Sequence, residues 1–149
     1  MEDIKERKKL SWDSMFYSIQ RIDLLIVAFC GGGIYICLET IKYFVEKQLV
    51  VDPLIKVTGG IFLLGIILNF FSQWFGQKCN EQDYLMCDAK LCDKKKLNKC
   101  ERKALKKEIK KYDLLSEKYS NYTKALNFSS MISMLIALVL LGVFFSITF

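Results

Sequence analysis

The stretch VTGGIFLLGIILNFFSQWFGQ, residues 57–77, runs for 21 residues without a charge. As α-helix at 1.5 Å per residue it measures about 31 Å, against ~30 Å of hydrocarbon in a bilayer. It reads as a membrane span, TM2. Pro53 stands just ahead of it, where a helix can begin, because the first helical turn has no use for the amide hydrogen that proline lacks. Residues 46–56 form the short connection leading in.

Upstream, residues 22–45 read as the first span, TM1. Its charge-free centre, residues 24–38, has 15 residues, about 22 Å of helix. To cross, this helix must admit Asp23 at one end, or Glu39 and Lys42 at the other. Glu39 and Lys42 lie three positions apart on one face and are placed to pair. An ionisable residue within a span is a candidate for handling ions; the plain alternative is that both snorkel to the outer interface. Downstream, residues 125–149 carry no charge and read as TM3.

Apolar residues make up 52% of the chain and charged ones 26%, in separate blocks. A soluble domain interleaves the two, whereas alternating blocks fit a polytopic membrane protein. With one proline and many Leu, Ile, Lys and Glu, the fold class is all-α. The N-terminus, charged with both signs, does not read as a cleaved signal sequence, so TM1 is expected to stay in the mature protein.

Residues 1–21 carry Lys5, Arg7, Lys8 and Lys9, then an apolar stripe of Trp12, Met15, Phe16 and Ile19. That pattern predicts an amphipathic helix at the membrane surface, or one packed on other cytosolic helices. Residues 78–124 hold 14 of the 22 basic residues, against Lys42, Lys47 and Lys56 on the TM1–TM2 side. The positive-inside rule then puts the N-terminus and residues 78–124 in the cytosol and the C-terminus outside. That basic segment reads as a helical hairpin turning within residues 93–99. Its return helix shows a stripe of Leu105, Ile109, Tyr112, Leu115, Tyr119, Tyr122 and Leu126 that leads into TM3.

There is no histidine, which removes the commonest general base and metal ligand. No catalytic motif appears, and neither an enzyme nor a cofactor is expected. Cys79, Cys87, Cys92 and Cys100 invite a zinc reading, but they are separated by seven, four and seven residues, where zinc modules supply close pairs. Nested disulfides are the second reading, disfavoured in the cytosol; free, partly buried thiols are the third. Cys30 and Cys37 flank Gly31, Gly32 and Gly33 in TM1, where glycines permit close helix approach or a kink.

Gly65, Asn69, Gln73 and Gly76, with Ser72 beside them, form a polar stripe on TM2. Unpaired amides in hydrocarbon are costly, so this stripe should face other helices or a wet pore. TM3 offers Ser129, Ser133 and Ala137 at similar spacing. Lys94, Lys95, Lys96, Lys106, Lys107, Lys110 and Lys111 are candidates for binding a cytosolic protein partner. Nucleic acid is not expected, because Tyr112, Tyr119 and Tyr122 fall on the packing stripe rather than offering free stacking platforms.

The layout of residues 1–122, a charged N-terminal helix, a transmembrane hairpin and cytosolic helices, resembles the small membrane effectors of bacterial anti-phage systems. It is similar to the SLATT class and, more loosely, to the membrane accessory proteins found beside type VI-B CRISPR nucleases. TM3 is an addition to the two-span SLATT pattern. The resemblance implies a homo-oligomer that permeabilises a bacterial inner membrane, and it transfers no residue roles. Two functions are therefore carried forward: a pore lined by the TM2 stripe, and a non-conducting adaptor whose basic hairpin recruits a partner.

Overall fold

The computed structural model describes residues 2–91 and 98–148, with residues 2–19 as backbone. Three helices account for it: α1 (Glu2–Glu46), α2 (Pro53–Leu91) and α3 (Lys99–Thr148). No strand occurs among the described residues. Each helix contains a segment long and apolar enough to cross a membrane.

The ends of the helices follow from local chemistry. α1 stops at a left-handed residue, Gln48 (φ 55°), with Leu49 N–H donating to Phe44 C=O at 2.8 Å and Gln48 N–H to Val45 C=O at 3.0 Å. These two bonds are the Schellman closure of a helix C-terminus. α2 opens on Pro53 as expected, and Asp52 caps it by accepting the Leu54 N–H at 2.8 Å. At the start of α3, the Glu101 carboxylate accepts the Asn98 N–H at 2.7 Å, one half of a capping box, while Asn98 C=O accepts the Arg102 N–H in the first helical bond. The turn expected within residues 93–99 lies mostly outside the described residues.

α1 runs without a break from Glu2 through TM1 to Glu46. Gly31, Gly32 and Gly33 likewise leave the helix intact.

The helices form two compact units, one of residues 1–69 with 129–149, the other of residues 70–128. The first unit is a three-helix bundle whose interior is small and partly polar. Cys30, Cys37, Gly33, Thr58, Gly65, Ser130 and Ala137 are buried beside Ile26, Ile55, Phe62 and Phe144. The buried positions on α3, residues 130, 137, 141 and 144, step by three, four and seven, the seam of closely packed helices. Large apolar side chains point outward instead: Leu24, Phe29, Leu38, Leu63, Leu135 and Val139 are all exposed. Small and polar residues at the helix contacts, filled in by Ile26, Ile55, Phe62 and Phe144, with many large apolar side chains outside, is the arrangement of helices packed in lipid, where apolar surface gains nothing by hiding.

The second unit is an antiparallel helical hairpin of α2 and α3. Leu105, Ile109, Tyr112, Ser116, Tyr119 and Thr123 of α3 are buried or half-buried along one seam, with Leu115, Ser120, Leu126 and Asn127 half-buried beside it. The alternating four- and three-residue steps are those of a coiled coil.

Candidate functional site

Two groups of residues stand out in the sequence, the TM2 stripe and the basic hairpin; Gly65 and Asn69 of the stripe belong to the first unit, and Ser72, Gln73 and Gly76, like the described part of the hairpin, to the second.

In the first unit, the stripe is taken up by the chain's own helices. Asn69 is 1% exposed, and its side-chain amide donates to the Asp23 carboxylate at 3.2 Å. Four residues earlier, the Gly65 carbonyl accepts the Ser130 hydroxyl at 2.6 Å. The absence of a side chain at Gly65 also lets α1 come close: a Cβ there would stand 3.1 Å from the Cys30 sulfur. Gly33 serves α1 in the same way, its missing Cβ being occupied by the ring of Phe62.

In the second unit, buried Ser72 donates to the Thr123 carbonyl at 3.0 Å, and Gly76 packs on the Thr123 side chain. Of the five stripe residues, Gln73 is the exposed one. Further along, the Ser116 hydroxyl donates to Asp83 at 2.5 Å, and the Cys79 sulfur lies 3.4 Å from both oxygens of Ser116. This polar clamp ties the two hairpin helices together, since each hydroxyl and thiol finds a partner away from water.

Cys79 is thus engaged by Ser116, whereas Cys87 and Cys100 are exposed and Cys92 lies outside the described residues. Among the described residues no three Cys, Asp or Glu side chains converge on one point. Cys30 and Cys37 are buried packing residues, Cys37 lying against Gly59.

Glu39 and Lys42 are both exposed, and no ion pair joins them. The expected pairing fails for a simple reason: an exposed pair gains little and must give up side-chain freedom. Lys106, Lys107, Lys110 and Lys111 are exposed on α3. Lys78 pairs with Glu81 at 2.7 Å, whereas these four lysines keep their charge free of salt bridges to the described residues. Lys94, Lys95 and Lys96 lie outside the described residues.

Sequence reasoning missed four participants. Ser130, rather than Ser129 or Ser133, is the fully buried serine of α3, because the packing seam steps back from Ala137 through Met134 to 130. Asp23 was read as a terminal charge, yet it meets Asn69; the demand of a membrane amide for a partner was the available signal. Ser116 and Asp83 sit among charged residues and break no apolar pattern, so periodicity alone passes over them.

No protein family, curated protein or solved structure is found to match this chain.

Proposed function

We propose that the protein is a membrane-anchored adaptor: the spans hold it in the bilayer and the lysine-bearing hairpin recruits a cytosolic protein partner. The observation that carries this reading is the internal use of the TM2 stripe. Gly65, Asn69 and Ser72 are buried against α1 or α3, which leaves Gln73 as the stripe's exposed side chain. One amide is a poor lining for a water-filled path, which needs polar groups along its length. The free lysines of α3, by contrast, are ready to meet an acidic surface. The lysine distribution supports a cytosolic hairpin and N-terminus with an external C-terminus; a bacterial inner membrane is what the resemblance to anti-phage membrane effectors implies.

Reconstitution into dye-loaded liposomes tests the proposal against the homo-oligomeric pore. An adaptor leaves leakage at the level of empty vesicles. A pore produces flux that Asn69→Leu with Gln73→Leu abolishes, and that result would sink the adaptor. Photocrosslinking from position 107 in cells should then yield one stoichiometric adduct, lost on charge reversal at Lys106, Lys107, Lys110 and Lys111.

A further inference from the structure

The uncharged run of α2 reaches Gln77, so by composition hydrocarbon would extend that far. The packing of the second unit places the boundary earlier. Ser72 donates to the Thr123 carbonyl, Gly76 packs on Thr123, and Phe75 stacks on Tyr119 with ring centroids 6.0 Å apart. The α3 residues level with Ser72 to Gly76 are therefore Tyr119 to Thr123, bracketed by exposed Lys118 and Lys124 and adjoining Glu117. Packed helices cross the interface together. Hydrocarbon at Gly76 would drag these charges in with it, each costing about 2.5–3.5 kcal/mol at the centre of a span.

At this same level lies a chain of aromatic rings. Phe71 meets Trp74 at 6.4 Å, Trp74 meets Phe75 at 5.2 Å, and Phe75 meets Tyr122 at 5.5 Å. The Lys118 ammonium closes the row, 5.8 Å from the Tyr122 ring centroid. Phe71, Trp74 and Tyr122 are each exposed by more than two fifths. Rings with a polar edge beside cations suit the headgroup layer, where an apolar body and a wet tip are both accommodated.

We propose that Phe71, Trp74 and Tyr122, with Lys118 and Lys124, form a belt that binds anionic phospholipid headgroups at the inner interface. The charge complementarity of two exposed lysines to a phosphodiester selects this occupant. The inference rests on the membrane reading of the chain and not on the adaptor.

The test uses the full chain in phosphatidylcholine vesicles with and without phosphatidylglycerol, with Trp12→Phe leaving Trp74 as the reporter. Bromines near the carbonyl end of the acyl chains should quench Trp74 strongly, and bromines near the methyl end weakly. Subtracting the signal of Trp74→Phe from wild type gives the same depth should Trp12→Phe fail to fold. Phosphatidylglycerol should co-purify in excess of its share. Lys118→Gln with Lys124→Gln should reduce that excess roughly fivefold per lysine, while Lys106→Gln with Lys110→Gln leaves it nearly intact. Strong quenching by the deep bromines overturns the belt, as does phosphatidylglycerol binding indifferent to Lys118 and Lys124. Quenching by neither lipid would instead overturn the membrane reading itself.

Discussion

The amide of Asn69 donates to the carboxylate of Asp23 at 3.2 Å, joining α1 to α2 across 46 positions of sequence. Both groups stand beside long apolar runs, where an unmet amide or carboxylate is expensive. Replacing Asn69 by leucine removes the donor of this bond. The loss should be about 1–3 kcal/mol. Replacing both residues by leucine should cost less than the sum of the single changes, because each single change already breaks the bond the two share. Reversible unfolding in mixed detergent micelles measures all three; strict additivity would count against the pairing.

The glycines of α1 should divide sharply. A Cβ at Gly33 runs into the fully buried ring of Phe62, so Gly33→Ala overpacks the bundle and should cost about 1–3 kcal/mol. Gly31 and Gly32 have nothing within 4 Å of the position a Cβ would take. Alanine there should be neutral or add up to about 1 kcal/mol through helix propensity. Unfolding midpoints of the three single variants decide the matter, and equal effects would contradict the geometry.

Gln48 occupies the left-handed region at φ 55°, which an L side chain adopts at a cost of about 1–2 kcal/mol. Glycine removes that cost and keeps both Schellman hydrogen bonds. Gln48→Gly should therefore raise stability by roughly 1 kcal/mol, and Gln48→Val should lower it. Thermal unfolding in detergent reads both signs.

Thiol accessibility offers a fourth check. In a Cys92→Ser background, a water-soluble maleimide should modify Cys87 and Cys100, which are exposed, well ahead of Cys79. Cys30 and Cys37, 0% and 2% exposed, should react only after denaturation. Peptide mass spectrometry assigns each site. Rapid labelling of Cys30 would show that the first bundle opens in solution.

Much of the architecture was legible because the bilayer imposes a coarse rule. An uncharged run such as residues 57–77 has few ways to exist, and Pro53 and the return-helix stripe marked the elements around it. Three helices with spanning segments follow, and α2 ends at Leu91 and α3 starts at Lys99, near the expected turn. Side-chain partnership was less legible. The TM2 stripe was visible as a polar face, but only tertiary contacts distinguish a face turned to water from one turned to α1 and α3. The apolar stripe of the return helix includes half-buried Leu115, and Tyr122, which meets Phe75 of α2; the packed face also takes in Ser116 and Thr123, whose hydroxyls are satisfied across the hairpin or along the helix. Identity scales miss a serine whose hydrogen bond has been met.

The small residues at the helix contacts of the first bundle, and the large apolar ones facing out, also shape how this chain can drift over generations. In a water-soluble protein the surface accepts change and the bulky interior resists it. Here Leu24, Phe29 and Leu135 can exchange among aliphatic and aromatic types with little consequence, since lipid fills whatever shape they leave. The slow-changing positions should be the least bulky ones, Gly33, Gly65, Cys30 and Ser130, where one added methyl group has nowhere to go. Related chains would then keep a pattern of small residues while their apolar letters scatter, a signature that comparison by overall identity reads poorly.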